Sequence, residues 1–564
     1  MRRRARCAIV LAMLLLAFMG GAAGAGGLTP PGAGAAGPWA CLYGPGYARF
    51  VPGVAEWQLG LVVVGDGWGK SPPALQSVSV TLDGRPLVAA RVQFAGAPWA
   101  RANGALDEAD VLAVKSAMAA AIIGEPPSAA VFRQLEAPVA RLAALLAGAQ
   151  SAGLTLTGMA GIRGDAHWVD VTLDYQGADR MFRFVQRVQV VTASIPREPG
   201  WFSSDLHEHS TFSDGNQTPA ERRKGLAASG YFIGYLTDHT DLLMQHGSFA
   251  DMSGPYPAAC RDCSDITTSM FPGVEMTVVA AGSSGGASGT ASGGASGAAP
   301  GGTSAASGAA PAGDCLGYGV KGTAGLDNRK WPPQVGLDRV DASNVPLSSV
   351  GIAHPYGRPA WQDWTVQRYY GIELMSGIQT NLAIGSPPVE KWRSECLRLA
   401  AAAAGARPSA RTGSDFHRYF GEFYVTHILL PSDAAWFDAA WDGRWQAVSA
   451  ALRDGRTVVS RKGSLAYITA DGLPVGRSLE RPAGGAVTFA VCFKPITKAK
   501  YTLALYQDNN TTAPVWQLAA REFLADKLFT QTLPRPVVQG LHYYWLYVSG
   551  GDYCYTTPIY VTGT

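Results

Sequence analysis

One unit constrains the fold more than any other part of this chain. It runs from Ser204 to His239 and reads as strand, loop, helix, strand. The helix "TPAERRKGLAASG" opens with Thr218 as N-cap, Pro219 in the first turn and Glu221 closing a capping box, and Gly230 ends it. "YFIGYLTDH" then returns as an apolar strand. Two apolar strands joined by a helix form a βαβ unit, which calls for a parallel sheet with helices packed on it. Strands and helices go on alternating to Arg461, so residues 201–461 are expected to form an α/β domain. Inside it, residues 282–313 are nearly all Gly, Ala, Ser, Thr and Pro. They bury too little to offset the entropy of ordering them, and a disordered insertion is expected.

The flanks read differently. Residues 39–200 alternate apolar and polar in "QSVSVTLDGRPLVAARVQF" and "HWVDVTLDYQG", a pattern of half-buried strands, with an Ala/Leu-rich helical hairpin between them. Residues 464–564 alternate again in "GAVTFAVCFKP", "KYTLALYQD" and "LHYYWLYVSG", which suggests a small antiparallel β-sandwich. The first 25 residues have a basic start, an apolar run and an "AGA" site, and so read as a secretory signal. The apolar run is shorter than the ~20 residues a span needs, and no second segment looks transmembrane. The mature protein is expected to be periplasmic or secreted, with no membrane span. Of the formal charge of +3, four positive charges sit in the leader at Arg2, Arg3, Arg4 and Arg6. The remainder is near neutral, so no global field points to nucleic acid.

An oxidising compartment permits disulfides. Cys492 and Cys554 share the last domain and are the expected pair. Cys260 and Cys263, in "CRDC", are expected to pair with each other or with Cys315, a zinc knuckle being the rival reading. Cys396 reads as a buried free thiol.

The chemistry concentrates in "DLHEHSTFSDG". His207 and His209 are two apart at a strand end and project to one face, while Glu208 points away. Asp214 follows on a turn. "LTDH" ends a strand with His239, "FPGVEMT" places Glu275 on another, and "GIAHP" puts His354 before a proline. "TGSDFH" adds Asp415 and His417. Singly, each piece fits a satisfied core histidine or a turn. Together, five of the chain's nine histidines stand at strand ends in one domain. The carboxyl ends of parallel barrel strands meet at one mouth. Imidazoles and carboxylates there suit Mn, Zn or Fe, and these are too many for one ion, so two or three divalent ions are expected.

These pieces occur in the order found in the polymerase-and-histidinol-phosphatase (PHP) superfamily, which residues 203–420 resemble on "DLHEHSTFSDG", "LTDHTD", "PGVEMT", "IAHP" and "GSDFH". The secreted context, the flanking β domains and the closing "YTTPIYV" look most like its carbaryl-hydrolase-like branch. The resemblance implies a distorted (β/α)7 barrel with a two- or three-metal site. It implies that His207, His209, Glu275 and Asp415 hold one ion, and that Glu275 bridges to a second ion shared with His354. Asp214, His239 and His417 would hold a third. The family usually places one more histidine before an "LGY"-like strand. Here "DCLGYG" offers Asp314, which is expected to take that role, a solvated loop aspartate being the alternative. Arg358, in "HPYGR", is expected to clamp a phosphate.

The expected function is metal-dependent hydrolysis by a hydroxide held between ions, with a small-molecule phosphate ester as substrate. Glu275, Asp415 and Arg358 are the expected catalytic set. A carbamate, ester or amide hydrolase on the same site is the alternative, and a metal-stabilised binding protein is the reading from another class. The sequence leaves the oligomeric state open.

Overall fold

A computed structural model describes residues 39–43, 47–66, 74–87, 90–95, 134, 150–162, 166–176, 181–280, 311–356, 359–376, 386–402, 407–415, 417 and 424–564. The signal segment, Arg358 and almost all of the helical hairpin and the Gly/Ala/Ser tract lie outside the described residues. The last three tract residues do not: the strand Pro311–Tyr318 already includes them.

The architecture is mixed α/β and dominated by sheets. The N-terminal region contributes two sheets, one of four strands and one of five. In the five-stranded sheet, His167–Gln176 buries Val169, Val171, Leu173 and Tyr175 on one face, the alternation its sequence predicts.

Two further sheets make up the centre. In one, Trp201–Glu208, Ile233–Leu236 and Ser269–Pro272 run parallel. The helix Pro219–Ala228 crosses between the first two and carries the expected capping box, with Glu221 Oε2 accepting from Thr218 N at 2.8 Å. The other sheet orders Val274–Val279, Pro311–Tyr318, Ser349–Ile352, Gly371–Met375 and Ser409–Thr412. Its first two pairings are antiparallel and its last two parallel. The strands of the centre thus belong to two hydrogen-bonded sheets, and not all of their pairings are parallel. Pro311–Tyr318 runs against both its neighbours, a direction that hydrophobic periodicity does not encode.

The two sheets meet along two seams. At Gly273 the chain steps straight from one into the other, and a Cβ there would stand 2.8 Å from the Gly317 carbonyl oxygen. At the far seam Ser414 N donates to Asp205 (2.9 Å) and Asp415 N to the His207 carbonyl (2.7 Å).

The sheet containing Trp201–Glu208 does not stop at residue 461. Thr457–Ser460 pairs with Cys554–Thr556, so one eleven-stranded sheet joins the centre to the C-terminal strands. There Gly540–Gly550 and Ala499–Gln507 pack against a four-stranded sheet around Phe489, Val491, Phe493, Tyr501, Leu503 and Leu546. Among the described residues no helix is long and apolar enough to cross a membrane.

The expected disulfides are absent. Cys260, Cys263, Cys315, Cys396, Cys492 and Cys554 are all free thiols. On their strand, Val491 and Phe493 face the sandwich core; Cys492 therefore points away from it, toward Thr530 at 3.7 Å. Cys554 belongs to the opposite sheet and faces the core. Cys263 donates to the Cys260 carbonyl, one helical turn back (3.4 Å). The buried thiol expected at Cys396 is present.

Candidate metal centre

The strand Trp201–Glu208 is buried on both faces. On its outer face Glu208 accepts from Arg222 Nε at 2.9 Å, an enclosed ion pair. On its inner face His207 and His209 bring their Nε2 atoms to 3.2 Å of each other. Two backbone features allow this crowding. Gly413 passes so close that a Cβ would lie 2.3 Å from His207 Cβ. Asp415 adopts φ +51°, a left-handed conformation uncommon outside glycine and short polar residues, and its carboxylate turns toward the histidines.

Glu275 sits at the centre. Its Oε2 is 3.5 Å from His207 Nε2, 3.2 Å from His209 Nε2 and 3.4 Å from His239 Nδ1. Its Oε1 faces the other way, 3.1 Å from His354 Nε2. One carboxylate thereby links two sets of imidazoles. Asp415 Oδ1 lies 3.4 Å from His207, 3.6 Å from His209 and 3.4 Å from His417 Nδ1. Asp214 faces His417 at 3.3 Å and His239 and His209 at 3.7 Å.

Asp314 is not a solvated loop residue. It is buried near the start of its strand, with Oδ2 3.7 Å from His354 Nε2. It reaches the end where His354 stands because its strand is antiparallel: Ala353 N donates to the Asp314 carbonyl. The structure therefore brings together every ligand candidate read from the sequence. Arg358 lies outside the described residues.

Three sets of donor atoms converge: His209, Asp214, His239 and His417; His207, His209 and Asp415; and His207, Glu275 and His354. Within each set the atoms lie within 4.8 Å of one another. A tetrahedral ion with bonds of about 2.0–2.2 Å spaces its donors roughly 3.3–3.6 Å apart. Most of the separations above fall in or near that range. His207 and His209 each stand in two sets, whereas the resemblance assigned each to one.

The electrostatics fit cations as well. Burial opposes charge on His207, but Glu373, Asp415 and Glu275 outweigh it and raise its pKa well above the ordinary imidazole value. His209 and His354 are also penalised by burial, yet bonds to neighbouring carboxylates push both up to about 10. Glu275 and Asp415 are held well below the carboxylate range, because the histidines overcome the burial penalty. The carboxylates thus favour the charged form of His207, His209 and His354, and these imidazoles favour the charged form of Glu275 and Asp415. Asp415 Oδ1 and Asp314 Oδ1 are buried carboxylate oxygens with no hydrogen-bond partner. Orphaned carboxylate oxygens beside imidazoles are what a bound cation would satisfy.

Several supporting residues escaped the sequence reading. Glu373 contacts His207 Nδ1 at 3.1 Å and accepts from His354 N at 2.8 Å. A proton shared on that side leaves the Nε2 lone pair of His207 free for a ligand bond. Asp238 accepts from Ser210 N and Ser210 Oγ, both at 2.7 Å, and from Ser213 Oγ. It thereby ties down the loop that carries Asp214. The available signal was a lone carboxylate in an apolar strand, "GIELM" and "YLTDH".

No family model matches this chain, and no curated protein matches it. Among solved structures it is similar to a two-domain protein from Bacteroides vulgatus that contains a predicted PHP-like metal-dependent phosphoesterase. Identity is 13%, the TM-score is 0.34, and the alignment covers 64% of this chain and 97% of that one.

Proposed function

We propose that this chain is a metal-dependent hydrolase, acting on phosphate esters through a site of two or three divalent ions of the Mn, Zn or Fe type. The observation that carries this reading is the convergence of His207, His209, Asp415 and Glu275, with Asp415 Oδ1 buried and making no hydrogen bond. The motif order shared with the PHP superfamily supports it, and on this reading the two central sheets are a distorted barrel of that kind. The leader read at residues 1–25 would send the enzyme out of the cytoplasm.

Bound divalent ions would supply acidified water and a Lewis acid for the attacked oxygen. The chain's own part is to place and orient. His207 and His209, fixed on one strand, hold their nitrogens toward Asp415. Glu373 holds the proton of His207 on the side away from the cluster. Glu275 spans the space between His354 and the other imidazoles. One observation favours a carbamate, ester or amide as the substrate instead. Asp314 adds a buried carboxylate beside His354, and extra negative charge there disfavours a phosphate dianion.

The test joins metal analysis to assays on phosphomonoesters, phosphodiesters and carboxyl esters. We expect about two or three ions per chain, loss of turnover on chelation, and its return with Mn or Zn. Turnover unchanged in a verified metal-free sample would overturn hydrolysis by metal. Stoichiometric metal with no turnover on any substrate would point to a metal-stabilised binding protein.

A further inference from the structure

At the opposite ends of these strands lies a second concentration of charge. Tyr370, Arg407 and Arg456 stand just before Gly371–Met375, Ser409–Thr412 and Thr457–Ser460, whereas Asp415 follows Thr412. At about 3.3 Å per extended residue, Arg407 is on the order of 20 Å from Asp415. A cavity of about 390 Å³ there is lined by Tyr370, Arg407, Arg453, Asp454, Arg477 and Ser478. It shares Arg477 and Ser478 with a cavity of about 490 Å³ walled by Arg456 and by Leu429, Leu430, Pro431, Leu473 and Pro474.

The charges are not balanced. Arg453 is satisfied by Asp341 (2.6 Å) and the Tyr370 hydroxyl (2.8 Å). Asp454 is shared, 3.4 Å from Arg456 Nε and 3.6 Å from Arg477 Nη2. Arg407 has no carboxylate partner among the described residues and lies 4.7 Å over the Tyr560 ring. Behind Tyr370, the buried Arg411 donates to the Tyr370 carbonyl (3.1 Å), also without a carboxylate partner among the described residues. Five guanidinium groups thus meet two carboxylates. The Nε–H of Arg407 is buried and makes no hydrogen bond, and that of Arg456 makes none although Asp454 stands 3.4 Å away. A buried donor left unpaired, as at Arg407, is costly, and an anionic oxygen is the strongest acceptor a guanidinium can take.

We propose that the paired cavities bind an organic anion, its phosphate, phosphonate or carboxylate head held by Arg407, Arg456 and Arg477 and its apolar body lying along Leu429–Pro431 and Leu473–Pro474. Their volumes fall within the range of small-molecule sites, and a bare inorganic ion would leave the leucine and proline walls uncovered. The proposal stands apart from the reaction at the histidines.

The test is calorimetric titration of the chelator-treated full chain with phenylphosphonate, benzoate and inorganic phosphate. An organic anion should bind about tenfold tighter than inorganic phosphate, and the better of the two identifies the head group. Arg407→Gln and Arg477→Gln should each weaken it about tenfold, while His354→Ala leaves it unchanged. Arg477 is half exposed, so its substitution tests binding without disturbing the fold. Leu473→Asn should weaken the organic anions but not phosphate. Failure of both organic anions to bind, affinity unmoved by the arginine substitutions, or phosphate binding as tightly would each overturn the proposal.

Discussion

The two faces of the strand Trp201–Glu208 bury charge to different ends. Outside, Glu208 meets Arg222 at 2.9 Å, an ion pair sealed from solvent. Inside, His207 and His209 face Glu275 and Asp415 at 3.2–3.6 Å, and acceptor atoms are left without a bond. The outer site sets one carboxylate against one guanidinium and leaves a single oxygen, Glu208 Oε1, without a bond, whereas the inner cluster brings several imidazoles and carboxylates onto one space. Burial, and even an unbonded oxygen, therefore does not separate structural from functional charge. Convergence of several ligand-type side chains does.

If that contrast holds, the largest stability loss comes from opening the outer pair. Arg222→Met should cost about 3–5 kcal/mol by leaving Glu208 buried alone. Adding Glu208→Leu should recover much of it, because an apolar pair can replace an enclosed ion pair. Denaturant unfolding of the single and double variants checks this. A single variant as stable as the parent would make the two faces equivalent.

Inside, loss should fall on metal and rate. Asp314→Ala should remove about one ion and slow turnover roughly 100-fold, about 2.7 kcal/mol of barrier. Asp314→His should keep the ion, since imidazole is a competent ligand. Full metal and full rate in Asp314→Ala would make Asp314 a structural residue. Glu373→Gln should do less, about 10–100-fold in metal affinity, because it only orients His207. Metal titration of this variant beside the parent reads the effect, and an unchanged affinity would show that Glu373 orients nothing.

The inner cluster was legible in the sequence because histidine and acid are rare at the ends of apolar strands. His207, His209, His239, His354 and His417 stood out on that ground alone. The βαβ unit at 204–239 was legible through its capping box. Strand direction was not, which is why the antiparallel Pro311–Tyr318 and its effect on Asp314 appear only in three dimensions. Glu373 was invisible for a related reason: a single buried acid signals a partner but does not name it. The mistaken Cys492–Cys554 pair had a readable warning. In "VTFAVCFKP" the residues Val487, Phe489, Val491 and Phe493 share one face, and Cys492 falls on the other.

The last effect concerns a histidine outside the cluster; it grows only as pH falls, and it has the opposite sign. His427 lies on the strand Val425–Leu429, next to Trp201–Glu208, with Nε2 3.2 Å from the Ser464 carbonyl. No carboxylate pairs with it among the described residues. Burial disfavours its charged form, Arg49 disfavours it further, and its pKa is lowered to about 3. His207, His209 and His354 in the cluster, also buried, are shifted upward. The sign follows directly. Below the ordinary imidazole pKa of about 6.5 the unfolded chain takes up a proton that the folded chain refuses until about pH 3. His427 therefore costs stability as pH falls through 6.5, by up to about 1.4 kcal/mol per pH unit. Many carboxylates titrate in the same range, so the measurement is a difference: unfolding free energies of parent and His427→Gln in metal-free protein between pH 7 and 4.5. Glutamine keeps a donor for the Ser464 carbonyl but carries no titrating proton. The parent should lose stability relative to the variant as pH falls. A gap constant with pH would mean that His427 charges inside the fold, and the contrast would then rest on carboxylates alone.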